Sequence, residues 1–294
     1  MQIIHTPLEM QECAMGLKRA GKVIGFVPTM GFLHEGHLSL MRIAREQCDV
    51  LVVSIFVNPT QFGPNEDLDA YPRDFKRDEA LCREAKVDFL FYPEPTNMYA
   101  DNASVWVEEE SLSSVLCGAS RPGHFRGVCT VVAKLFNLVQ PDLAVFGEKD
   151  AQQLRIIERM VRDLNFPVEI VRGPIVRESD GLAMSSRNKY LSPEQRKNAI
   201  CLRKALDAAT RMFRKGEHNV EPIRSVMEEM ISAVPEVRID YIEFVDEQTL
   251  CMVNRIDRPV LVAIAVRVGS TRLIDNGVLG SMSGAHKVAV KNAL

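Results

Sequence analysis

The chain has 294 residues, enough for one large domain or two ordinary ones, and 46% apolar against 26% charged residues equips it with a hydrophobic core. A net charge of −3, without a long run of one sign, argues against a nucleic-acid groove, which needs clustered Lys and Arg. Residues 1–17 lack the cationic segment and apolar run of a signal peptide, and the longest apolar stretch, 260–266, is too short to span a bilayer. Seven scattered cysteines without a Cys-x-x-Cys pair read as reduced, mostly buried thiols. The expected compartment is therefore the cytoplasm, with no nucleic-acid or membrane partner.

Strand-like apolar runs at 23–27, 50–57, 89–92, 143–146 and 168–171 alternate with helical patterns at 37–47, 75–85, 130–139 and 151–164. Short buried runs separated by helices predict βαβ units: an α/β, Rossmann-like parallel sheet with helices on both faces. After Gly181 the texture changes. Ser192-Pro193-Glu194-Gln195 carries a cap, a proline at the first helical position and a glutamine three residues after the cap. Ala199, Leu202, Leu206, Ala209 and Phe213 then share one helix face, as do Val220, Ile223, Met227, Met230 and Val234, and both stripes read as ordinary core. Runs at 237–245, 259–268 and 271–275 follow, with Gly269-Ser270 as a two-residue hairpin turn. The expectation is a domain over 1–176 that binds nucleotide and a smaller α+β domain over 177–294 that closes on it. Residues 277–294 are expected to be a loosely attached tail.

Chemistry concentrates at strand ends. Pro28-Thr29-Met30-Gly31-Phe32-Leu33-His34-Glu35-Gly36-His37 follows the first buried run and opens a helix, a place suited to phosphate because of its free amides and dipole. Gly31 and Gly36 have Walker A spacing, but His37-Leu38 stands where Lys-Ser/Thr is required, so that reading fails. What remains is His34-Glu35-Gly36-His37, two imidazoles on one helix face able to donate to phosphate oxygens. Taken alone, the tetrapeptide serves equally as a helix start with two half-exposed histidines.

Ala183-Met184-Ser185-Ser186-Arg187 supplies two hydroxyls and a fixed cation on a loop able to close on a triphosphate. Gly147-Glu148-Lys149-Asp150 ends another strand; Lys149 suits a phosphate or carboxylate, while Asp150 serves equally as a helix cap. Gln61 and Gln153 are neutral amides after strands, suited to a hydroxylated acid. Residues 63–73 read as a lid or a plain surface loop, and Arg121 to Gly127 as an anion contact or a solvated face.

His-x-Gly-His followed by a Met-Ser-Ser-Arg loop is the signature arrangement of the nucleotidylyltransferase superfamily, with its HxGH and KMSKS-like motifs. Across residues 1–276 the ordered blocks at 28–37, 56–67, 121–127, 147–150 and 184–187 resemble the pantothenate synthetase (pantoate–β-alanine ligase) family. The resemblance implies ATP-dependent condensation of pantoate with β-alanine through pantoyl adenylate, releasing pyrophosphate and then AMP. By similarity, ATP with Mg²⁺ would meet Met30, Gly31, Phe32, Leu33, His34, Glu35, Gly36, His37, Gly147, Glu148, Lys149, Asp150, Val176, Met184, Ser185, Ser186 and Arg187. His37 would be the catalytic imidazole, assisted by His34, Lys149 and Arg187. Gln61 and Gln153 would hold pantoate, with Gln61 also beside β-alanine. The resemblance also implies a homodimer paired through the N-terminal domains. Phe32 is bulkier, and Ala151 smaller, than the family pattern. The competing expectation is a different nucleotidylyltransferase that keeps the nucleotide in its product.

Overall fold

In a computed structural model that describes residues 1–64 and 66–280, the buried runs pair in parallel. The first unit runs β1 (Gln2–Ile4), α1 (Pro7–Arg19), β2 (Ile24–Thr29), α2 (Glu35–Arg45), β3 (Val50–Ile55), α3 (Phe75–Glu84), β4 (Phe89–Phe91), the short α4 (Pro95–Met98) and α5 (Leu116–Ser120), α6 (His124–Val139), β5 (Leu143–Gly147), α7 (Ala151–Asp163) and β6 (Glu169–Gly173). All six residues of β3 are buried, the pattern of a strand covered on both faces. The sheet order is β1-β4-β3-β2-β5-β6, every pair parallel. From β2 the chain moves outward to β3 and β4, then returns to place β5 on the other side of β2. That reversal opens a crevice beyond the carboxyl ends of β2 and β5, where such sheets bind ligands.

The second unit contains α8 (Pro193–Asn198), α9 (Cys201–Arg214), α10 (Val220–Ser232) and an antiparallel sheet of β7 (Val237–Asp246), β8 (Val260–Val268) and β9 (Thr271–Leu279). Leu202, Leu206, Ile223 and Met227 pack the helices on one face of this sheet. From the other face Leu261 and Ala263 join the core of the first unit. The Gly269-Ser270 hairpin forms as expected, with Val268 paired to Thr271 and Gly269 at φ 57°.

Three local expectations are corrected. Two elements, β1 and α1, precede the first strand read from the sequence; α1 starts with a reciprocal Thr6–Glu9 capping box and Pro7 in its first turn. The stripe after Ser192 is broken into α8, which buries nothing, and α9, with the buried Ala199 lying in the junction between them. Residues 277–279 belong to β9, not to a tail, since the ladder continues from Gly277–Val262 to Leu279–Val260 and Leu279 is buried. The remainder of the expected tail, 281–294, lies outside the described residues.

Candidate active site

The turn after β2 is built on glycine and a distant acid. Gly31 and Phe32 both adopt left-handed backbone, at φ 80° and 47°. A side chain at position 31 would meet Ile55 at 2.9 Å, so glycine is required there. Asp78, at the start of α3 and 1% exposed, accepts the amides of Phe32 at 2.6 Å and Leu33 at 2.7 Å. These bonds offset the strain of the turn. Burial nonetheless raises the Asp78 pKa against the pull of those two amides. Sequence reading missed Asp78: an acid in a first helical turn is ordinary, and only the fold shows where it points.

His34 and His37 cap α2 with their rings. The His34 amide donates to His37 Nδ1 at 3.3 Å, and the Gly36 amide donates to His34 Nδ1 at 3.2 Å. The ring centroids lie 4.1 Å apart. With each Nδ1 accepting, the neutral rings carry their proton on Nε2, and each Nε2–H is left to a ligand. Burial, reinforced by Lys149, lowers the His34 pKa to about 4. Burial, His34 and Lys149 together push His37 well below the usual histidine range. The pair therefore supplies neutral donors at physiological pH, not positive charge. The Gly36 amide is taken by the His34 ring, so the helix start offers fewer free amides than its sequence suggests. Gly36 itself makes room for that ring, since a Cβ there would lie 2.9 Å from it.

A cavity of about 250 Å³ opens beside these rings, at the crevice between β2 and β5. Of the sequence-predicted residues, Met30, His34, Gly36, His37, Gln61, Gly147, Lys149, Asp150, Gln153, Val176, Met184, Ser185, Ser186 and Arg187 line it. The others do not. Gly31 and Leu33 serve the turn, with Leu33 fully buried, and Glu35 pairs with Arg42. The Phe32 ring lies between Lys189 at 4.1 Å and Arg77 at 5.2 Å. The Glu148 and Lys149 carbonyls accept Asn276 Nδ2 of β9 at 3.0 and 2.8 Å, so the second unit clasps the turn that carries Lys149. Asp150 precedes α7 without capping it, and its exposed carboxylate lines both this cavity and a neighbouring cleft of about 700 Å³ between the units.

The Met-Ser-Ser-Arg loop comes from the second unit and reaches the first. Ser186 Oγ donates to the Phe32 carbonyl at 3.3 Å, and the Val176 carbonyl accepts the Met184 amide at 3.0 Å. Two ion pairs tie residues 66 and 67 to arginines of the cavity wall. Asp67 binds Arg187 with both oxygens, at 2.8 and 3.0 Å, and Glu66 binds Arg121 at 2.5 and 2.6 Å. Burial opposes the charge on Arg187, and the bonds to Asp67 more than offset it, holding its pKa above the usual value. His124 bridges Arg121 and the Gln61 carbonyl, and burial followed by Arg121 lowers its pKa to about 4. Gln61 is buried, its Nε2 donating to Met30 Sδ at 2.9 Å and its Oε1 accepting Asn58 Nδ2 at 3.2 Å. Asn58 was not found by sequence reading, although it sits only three residues from Gln61.

The family model for pantoate-beta-alanine ligase matches residues 2–278. Pantothenate synthetase from Thermotoga petrophila is 58% identical over 280 residues, covering 95% of this chain and 100% of that protein. The corresponding enzyme of Caldicellulosiruptor bescii is 55% identical over 279 residues, covering 95% and 99%. Among solved structures, pantothenate synthetase from Thermus thermophilus superposes with a TM-score of 0.89 at 49% identity, covering 94% of this chain and 99% of that one. A pantoate-beta-alanine ligase from Francisella tularensis, complexed with beta-gamma ATP and beta-alanine, gives 0.78 at 32% identity, covering 95% and 97%. Identity of this order along almost the whole length, on a site whose two halves converge, leaves one assignment: the chain belongs to the pantoate–β-alanine ligase family.

Proposed function

We propose that the two motifs converging on one cavity perform both halves of pantothenate formation by this ATP-dependent, amide-forming ligase. In the first half a pantoate carboxylate oxygen attacks the α-phosphorus of ATP, forming pantoyl adenylate while the bond to pyrophosphate breaks. In the second, the uncharged amine of β-alanine attacks the acyl carbon, AMP leaves, and the amine proton passes to solvent. The single observation that carries this reading is the convergence of His34, His37, Lys149 and the Ser185–Ser186–Arg187 loop on one cavity.

The first half brings an anion to a polyanion, so cations and preorganised donors dominate its chemistry. His34 and His37 offer Nε2–H donors already held by their Nδ1 bonds. Lys149 supplies a compact charge, and its amino group enters no hydrogen bond or ion pair among the described residues. Arg187 is a second cation, held by Asp67 until phosphate competes for it. Gln61 and Gln153, which line the same cavity, hold pantoate. Asp150, a carboxylate not used as a cap, suits Mg²⁺ carried on the phosphates, a cation that typically takes one or two carboxylates and neutralises charge on phosphate oxygens. The units over 1–176 and 177–294 act as jaws, with Asn276 and Ser186 as the contacts that bring the second to the first.

The chain works in the cytoplasm, a reading supported by seven free cysteines. Among the described residues no helix is long and apolar enough to cross a membrane. A homodimer paired through the first units is supported by Val105 and Trp106, 84% and 42% exposed on that unit. Sedimentation of wild type and Trp106→Glu tests the pairing.

Pantoate-dependent exchange of labelled pyrophosphate into ATP, without β-alanine, tests the chemistry. Exchange that needs pantoate supports the adenylate. Absence of exchange, with pantothenate still produced, overturns it.

A further inference from the structure

Gln61 can face pantoate with either end of its amide, and the two ends have opposite chemistry. Its NH₂ would donate to an acid or hydroxyl oxygen, whereas its oxygen would repel a carboxylate. The choice is made behind it. Asn58, 1% exposed, donates through Nδ2 to the Gly127 carbonyl at 3.1 Å and to Gln61 Oε1 at 3.2 Å. Its Oδ1 accepts the Thr60 amide at 3.4 Å, the Thr60 hydroxyl at 3.0 Å and the Tyr99 hydroxyl at 2.9 Å. A backbone carbonyl only accepts and a backbone N–H only donates, so the Asn58 amide has one permitted orientation. Gln61 inherits it: its oxygen turns back to Asn58, and its NH₂ faces the cavity. There the NH₂ meets Met30 Sδ, a weak acceptor that a substrate oxygen readily replaces.

We propose that Tyr99 is a positioning residue for the acid substrate, acting through Asn58 to present the donor end of Gln61 to pantoate. Tyr99 follows α4, outside the cavity lining, and contacts none of the groups assigned above to ATP. Its hydroxyl gives the closest of the three bonds on Asn58 Oδ1, and the Thr60 hydroxyl is its partial substitute. The proposal rests on the reading of Gln61 as a pantoate-binding amide.

The test compares wild type, Tyr99→Phe, Tyr99→Phe with Thr60→Val, and the isosteric Asn58→Asp in pyrophosphate exchange, with ATP and pantoate varied separately. Loss of the two hydroxyl donors is expected to raise the pantoate KM by about tenfold, the scale of one lost hydrogen bond, with the ATP KM held within about twofold. Asn58→Asp, which has no NH₂ to hold the Gln61 oxygen, is expected to exceed that effect. A double hydroxyl variant with the wild-type pantoate KM would overturn the proposal. So would a parallel rise in both KM values that tracks a lowered melting temperature, because that pattern is a packing defect. Failure of the wild-type enzyme to exchange pyrophosphate would instead remove the underlying reading of the reaction.

Discussion

Ser186 and Phe32 stand 154 residues apart in the chain, yet the hydroxyl of one donates to the backbone carbonyl of the other at 3.3 Å. This bond joins the strained turn before α2 to the loop of the second unit. It thereby sets the Ser-Arg loop beside the turn that leads into the imidazole pair, the spacing on which the proposed triphosphate site depends.

Ser186→Ala should therefore loosen that spacing without unfolding the protein. The expected result is an ATP KM raised about tenfold, with a melting temperature close to wild type. Steady-state kinetics with ATP varied, together with a thermal scan, check it. An unchanged ATP KM would mean that the bond is incidental.

Lys149→Ala should cost on the order of 10²–10³ in the rate of adenylate formation, the usual scale for removing one preorganised donor. The fold should survive, since the amino group supports nothing else among the described residues and the turn's carbonyls are held by the side-chain amide of Asn276. Single-turnover pyrophosphate release measures this directly. Near-wild-type release would remove Lys149 from the chemistry.

Asp67→Asn should tighten ATP binding by a few-fold, because the triphosphate would no longer compete with a carboxylate for Arg187. The ion pair is partly exposed, so little stability should be lost. Binding of a non-hydrolysable ATP analogue by calorimetry is the measurement. Weaker binding would show instead that Asp67 aims the guanidinium for the nucleotide.

The depressed histidines set the acid limb of stability. His34 and His124 titrate at about 4 when folded, against 6.5 for a free side chain. Between those values the unfolded chain binds protons that the folded chain does not, so stability is full above about 6.5 and is lost as pH falls toward about 4. Each group forfeits on the order of a few kcal/mol across that window. Melting temperatures from roughly pH 7.5 to 4.5 should fall, and His34→Asn with His124→Gln should flatten the slope. An equally steep fall in the double variant would place the effect on other groups.

The legible part of this molecule is the part whose signal is local. Buried runs separated by helical stripes announce the parallel sheet, and the His-x-Gly-His and Gly-Glu-Lys-Asp motifs stand where a run ends and a helix begins. The opening strand β1 is too short for a period, yet Thr6-Pro7 with Glu9 announces α1 to a reader looking for caps. Asp78 and Asn276 were illegible because their roles depend on backbone groups 45 and 127 or more residues away. The charge state of His34 and His37 was illegible for a different reason. Spacing places two rings on one helix end, but burial and the Nδ1 bonds decide that they are neutral.

The clasp from Asn276 has a consequence for the order in which the molecule becomes competent. The lysine turn is made well before the strand that secures its carbonyls, since Asn276 follows Lys149 by 127 residues. A nascent chain can complete the whole parallel sheet and still lack a set lysine. A fragment ending before β9 should therefore fold its parallel sheet and still fail to exchange pyrophosphate.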